Sequence, residues 1–198
     1  MARATLLIPT LAALHERRSV RSYTAAQVER SAVEQLLEAA VLAPSAMNSQ
    51  PWSFVVVQDA DLLGRFEREA ADLLLQDPPV DELAGLPADQ LELLRGLVRG
   101  SGAGIFHGAP SLIVIYAADA HGVPDCFLAA ENLMLAATAL GLGTCPIGMA
   151  QPYFEQAAVK AELGVPPVAR CALPIVLGEP SGHTAPTSRK PPEVVAWR

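Results

Sequence analysis

Aromatic residues make up only 5% of this 198-residue chain and charged residues 18%, with 14 Lys and Arg against 21 Asp and Glu. A net charge of −7 leaves no surplus for the broad cationic face that holds nucleic acid, so any anion site must be local. Cysteine is scarce too. Cys126, Cys145 and Cys171 are odd in number, widely spaced and never arranged as CxxC, which argues against a disulfide framework or a zinc site. His15, His107, His121 and His183 stand alone, without HExxH spacing or a paired acid. No apolar run approaches the ~18 residues that a membrane span needs. The first residues carry one Arg and a short apolar patch, too little for a signal peptide, so a cytoplasmic location is expected. Neither a GxGxxG fingerprint nor a P-loop is present.

What remains is an apolar chain. Hydrophobic residues form 51% of it, and its length suits one core and one domain over residues 1–198. A mean hydropathy of +0.29 predicts that some apolar surface is buried between subunits.

Leu7, Leu11 and Leu14 at helical spacing predict a first helix to about Glu16, with Thr10 as its cap. Ser31 and Glu34 have capping-box spacing, and Val33, Leu36, Leu37, Ala40 and Val41 then form one apolar stripe. A strand over 53–58 follows, then a helix capped by Asp59 or Asp61 that runs to Leu75 and stops at Asp77-Pro78-Pro79. The Pro-rich, acidic residues 77–87 read as a cover. Leu91, Leu94 and Val98 mark another helix before a glycine-rich loop at 100–104, which leads into a strand over 111–116. A buried helix over 125–140, a helix over 152–163 and a strand over 168–177 complete the pattern, with Pro174 arguing for a sheet edge or a bulge. By itself, such alternation of strands and helices favours a doubly wound parallel sheet.

Two stretches are too polar for their surroundings. Arg17-Arg18-Ser19-Val20-Arg21-Ser22-Tyr23 puts three arginines within five residues at a helix C-terminus, a grouping that suits a phosphate. Ala43-Pro44-Ser45-Ala46-Met47-Asn48-Ser49-Gln50-Pro51-Trp52 offers hydroxyl and amide groups framed by prolines. Rigid uncharged donors and acceptors suit a flat ring with a heteroatom edge, such as a flavin.

With Pro146-Ile147-Gly148, Leu177-Gly178-Glu179-Pro180 and Arg189-Lys190-Pro191 in the same order, the chain resembles the FMN-dependent nitroreductase family over nearly its whole length. The resemblance implies an α+β fold, with a mostly antiparallel central sheet flanked by helices in an intertwined homodimer, and FMN sites at the interface. It implies that Arg17, Arg18, Ser19 and Arg21 hold FMN, that Arg189 and Lys190 join them at the phosphate, and that Pro146, Ile147 and Gly148 lie against the ring. Ser45, Asn48 and Gln50 would reach the partner's FMN. The implied reaction is ping-pong, with hydride passing from NADPH or NADH to flavin N5 and then to a nitroaromatic, quinone or similar planar acceptor, without a dedicated protein acid or base. Alternatives within the family are dehalogenation, azoline oxidation, flavin consumption, or flavin binding without turnover. A short connection between the first strands, a short C-terminal arm and the lack of Glu in the 146–148 turn separate this chain from some members. Phe106, His107 and Met149 are candidates for the substrate side, and Cys145 is expected to be buried.

Overall fold

In the computed structural model, which describes residues 9–76, 83, 86–102 and 104–198, the strands pair antiparallel throughout. The segments are β1 (Trp52–Val57), β2 (Ser111–Ala117), β3 (Gly143–Pro146) and β4 (Arg170–Gly178), in the order β1-β2-β4-β3. β2 is buried along its whole length. Leu112, Val114 and Tyr116 enter one core with Phe66, Phe154 and Val176, while Ile113, Ile115 and Ala117 enter a second with Leu133, Ile175 and Leu177. Period-two side chains thus feed both faces of the sheet. The parallel sheet favoured by the bare pattern is not formed, because an apolar strand covered on both faces records burial and carries no information on direction.

The helices are α1 (Pro9–Glu16), α2 (Arg30–Ala40), α3 (Ala60–Leu75), α4 (Ala88–Gly100), α5 (Val123–Ala139), α6 (Gln151–Glu155) and α7 (Ala157–Glu162). Leu7 and most of the cover predicted over 77–87, namely residues 77–82, 84 and 85, lie outside the described residues. Thr10 falls inside α1 and does not cap it. The capping box of α2 is absent as well: the carbonyl of Glu29 takes the first amides, from Ala32 and Val33, and Glu34 instead pairs with Arg30 at 2.8 Å. Asp59 does cap α3, accepting from the Leu62 amide at 2.8 Å. Asp59→Ala should therefore reduce stability by about 1 kcal/mol in urea unfolding, with Asp61→Ala near neutral.

The helix expected over 152–163 breaks at Gln156, whose ψ of 137° is extended. The break lets Glu155 accept from the Cys171 amide at 2.7 Å and pair with the buried Lys160 at 3.2 Å, tying the helices to β4. Pro174 lies in β4, an inner strand, so the edge expectation is wrong. The bulge expectation holds nearby: the register shifts as Leu173 faces Ile115 and Cys171 faces Tyr116. The Pro174 carbonyl accepts from Ile147 at 2.8 Å, just past the end of β3, so the side without an N–H faces the finish of a short strand.

Candidate functional site

Beyond α1 the chain runs across the end of β3. The Val20 amide donates to the Thr144 carbonyl at 2.9 Å, and Ser19 bridges Thr144 in parallel. Val20 is buried above Gly143, where an added Cβ would lie 2.7 Å from Val20 Cγ2. Gly143 pairs across the ladder with Gly178, where an added Cβ would lie 2.6 Å from Pro110 and 2.9 Å from the Tyr23 ring. Two facing glycines therefore form the flat seat for the arginine segment. Further along, Tyr23 donates its hydroxyl to Val20 O at 2.7 Å and the Thr24 amide donates to Glu179 O at 2.9 Å.

This seat distributes the arginines over two cavities. One, of about 630 Å³, is lined by Arg21, Cys145, Pro146, Ile147, Gly148 and Met149, with residues of α4 and the loop after it, including Ile105 and His107, on the other side. The other, of about 400 Å³, is lined by Arg17, Arg18, Ser19, Glu131 and Arg189 among others. Residues 125 or more apart in sequence meet at each. In the cationic cavity Arg17 Nε donates to Glu131 Oε1 at 3.1 Å, and Arg18 donates to the carbonyls of His15 and Arg17 at 2.6 and 2.7 Å, which caps α1. Lys190 is exposed in the tail. Around the larger cavity, the Gly148–Ala150 turn begins at Gly148, whose added Cβ would meet nothing within 4 Å. Its surface is thus open to a flat ligand.

The amide stretch is not brought to either cavity. Ser45, Asn48 and Gln50 lie on an exposed turn with positive φ at Met47, Asn48 and Gln50. The Ala46 amide donates to Asp125 at 3.1 Å and the Gln50 amide to Ser45 Oγ at 2.9 Å, which hold this unfavourable backbone in place. Met47 is fully exposed at its tip, close in sequence to the exposed Leu42.

Residues 14–179 match the family model described as Nitroreductase family. The chain belongs to the nitroreductase family. It is 32% identical over 195 residues to a Thermus thermophilus protein named NADH dehydrogenase, covering 92% of this chain and 93% of that one. It is 28% identical over 183 residues to the Bacillus subtilis FMN reductase [NAD(P)H], covering 92% and 70%. The solved structure of a nitroreductase with bound FMN from Desulfitobacterium hafniense matches with a TM-score of 0.78 at 26% identity, covering 93% of this chain and 96% of that one.

Within this nitroreductase, the candidate substrate-side residues divide. His107 and Met149 line the larger cavity, whereas Phe106 is buried in the core. Cys145 also lines the cavity but is buried, and that burial raises its thiol pKa, as expected for an unreactive thiol. Burial chiefly, and then the charge of Arg21, push the His107 imidazole below its ordinary value. As pH falls through 6.5, the unfolded chain takes up this proton before the folded one does, so stability falls in step. His107→Gln should flatten that decline in urea titrations between pH 7 and pH 5.5. The spacing of residues disclosed neither Glu67, which pins the 104–108 loop, nor the glycine seat; only Leu177-Gly178-Glu179-Pro180 as a motif pointed at the second.

Proposed function

We propose that this nitroreductase is a single-domain FMN-dependent oxidoreductase that takes hydride from NADPH or NADH and delivers it to a nitroaromatic, quinone or similar planar acceptor. The observation that carries this reading is the span of one short segment across two cavities, with Arg17, Arg18 and Ser19 in a cationic one and Arg21 in a largely apolar one. A ligand with a flat ring and a phosphate fits that pair, and about 630 Å³ lies within the usual range for a small-molecule site. When bound, FMN supplies two-electron chemistry at N5, accepting hydride from the nicotinamide and releasing it to the acceptor.

The chain's own residues bind and bias. Arg17, Ser19 and Arg189 offer donors to the phosphate, with Arg18 and Lys190 adding charge beside it. Arg21 sets a positive charge at the pyrimidine edge, which favours the anionic reduced state and raises its potential. Pro146, Ile147 and Gly148 present a flat backbone wall, which Gly148 leaves clear of side chain. Among the described residues lining this cavity, Arg21 stays charged and the Cys145 thiol is buried, so this reading assigns the protein mainly positioning and electrostatics.

Ser45, Asn48 and Gln50 serve the cofactor of a second subunit in this reading. Their strained, exposed turn and the nearby Leu42, Met47, Phe127 and Leu128 support a homodimer, in which the apolar surface left open by α5 is covered. No helix among the described residues is long and apolar enough to cross a membrane, and the setting proposed is cytoplasmic. The deciding experiment is an anaerobic absorbance spectrum with one equivalent of FMN, before and after NADPH and then NADH. Bleaching of the oxidised-flavin band by either donor is expected. A bound flavin that stays oxidised with both would exclude the nicotinamide-dependent activity.

A further inference from the structure

Glu67 stands on α3, apart from the residues assigned to the cofactor, and its carboxylate reaches the loop that walls the larger cavity. Glu67 Oε1 accepts from the Phe106 amide at 2.5 Å. That approach requires glycine at 104, where an added Cβ would lie 2.2 Å from Glu67 Oε1 and where φ is +79°. Three residues on, His107 takes a φ of +58°, a left-handed conformation uncommon outside glycine but one that histidine enters more readily than most side chains, and its amide donates to Gly104 O at 3.3 Å. Phe106 is anchored in the core at 3% exposure, so the backbone must turn sharply to send the next side chain into the cavity. The Glu67 bond, the buried Phe106 ring and the glycine at 104 together fix this turn, so the position of His107 in the cavity wall is set by its neighbours.

We propose that His107 selects the electron acceptor and that Glu67 is the positioning residue that sets His107 in the cavity wall. The inference rests on the oxidoreductase reading above. Among the described lining residues, the other polar side chains are already committed or withdrawn: Arg21 is assigned to the cofactor, Ser101 donates to Val98 O at 2.7 Å, and Cys145 is buried. His107 is the polar handle left on the acceptor side. Burial and Arg21 keep its imidazole neutral near pH 7, so it offers one donor and one acceptor and no charge. The acceptor class is therefore a flat ring bearing a second hydrogen-bonding substituent, in preference to the same ring with an apolar one. His107 is half-buried, so an analogue that leaves the imidazole unpaired in the occupied site is rejected to a moderate degree.

The experiment compares Glu67→Ala, Glu67→Gln and His107→Gly, the last chosen because glycine accepts the positive φ and isolates the imidazole. Amide exchange at Phe106 should rise at least tenfold in Glu67→Ala and stay low in Glu67→Gln, whose amide oxygen still accepts the bond. With FMN-loaded protein, the ratio of kcat/KM for 4-nitrobenzamide over 4-nitrotoluene should fall about tenfold in His107→Gly and Glu67→Ala, mainly through KM, and recover in Glu67→Gln. Flavin bleaching by nicotinamide in each variant reports the reductive half-reaction separately. Normal bleaching with an unchanged acceptor ratio in His107→Gly would overturn the role of His107. Phe106 exchange that is unchanged in Glu67→Ala, or raised equally in Glu67→Gln, would overturn that of Glu67. If the unaltered protein leaves its flavin oxidised with both nicotinamides, the functional reading falls and the acceptor role with it, while Phe106 exchange still decides the positioning role.

Discussion

Gly143→Val is expected to weaken FMN binding by about 100-fold, the equivalent of losing one or two charge-assisted contacts at roughly 1.5–3 kcal/mol each. A lone Cβ at 143 already falls 2.7 Å from Val20 Cγ2, 2.8 Å from its Cβ and 3.0 Å from Pro180, and valine adds two methyl groups to that overlap. Val20 is buried and joined to Thr144 through its amide, so it has no free direction in which to yield. The segment must lift, and Ser19 and Arg21, on either side of Val20, lift with it. The fold itself should lose about 1–3 kcal/mol, the usual effect of overpacking, since Val20 and Pro180, which the new side chain meets, belong to neither sheet core. Gly182→Ala is the control, because a Cβ there meets nothing within 4 Å. Isothermal titration with FMN checks the affinity and a urea melt checks the fold. Native-like affinity in Gly143→Val would show that the arginines do not depend on the glycine seat.

How much of this was legible in the sequence varies with the physics of each part. Helix α3 and its Asp59 cap were legible because apolar period and capping chemistry are both local. The direction of the strands was not, since the burial of β2 on both faces follows from helices packed above and below and is silent about pairing. The family resemblance supplied the antiparallel sheet that periodicity missed. β3 went unread as a strand, because Gly143-Thr144-Cys145-Pro146 contains two poor strand formers and is held by its pairing with β4. Pro174 misled for a related reason: its missing donor is harmless only because the neighbouring strand stops there, which is a fact of tertiary structure.

The candidate site divides in the same way. Arg21 and Pro146-Ile147-Gly148 were picked out by residue type and order, and they line one cavity. Arg17, Ser19 and Arg189 line the other. Glu67 was invisible, because its role depends on a glycine 37 positions away giving up a side chain. Ser45, Asn48 and Gln50 were visible as chemistry, yet within one chain they serve neither cavity, which is the form a contribution to a second subunit would take.

Arg17→Ala is expected to reduce FMN affinity by about 10- to 100-fold and to leave riboflavin affinity unchanged, in line with roughly 1.5–3 kcal/mol for a charge-assisted contact. The guanidinium is already oriented: Arg17 Nε donates to Glu131 Oε1 at 3.1 Å, and the Arg17 side chain is 22% exposed. A bond through Nε leaves the two terminal nitrogens for an anion, so Glu131 aligns the fork at the expense of placing a negative charge near the phosphate. Glu131→Gln should therefore change affinity much less than Arg17→Ala, because lost alignment and relieved repulsion oppose one another. Arg17→Ala combined with Arg189→Ala should exceed either single change, and the salt dependence of FMN binding should flatten as each cation is removed. The contrast between FMN and riboflavin separates charge recognition from damage to the ring site. Equal losses for the two ligands would place the phosphate elsewhere and reduce Arg17 to a structural partner of Glu131, whereas a loss confined to FMN assigns the cationic cavity to the phosphate and leaves the larger one to the ring and its acceptor.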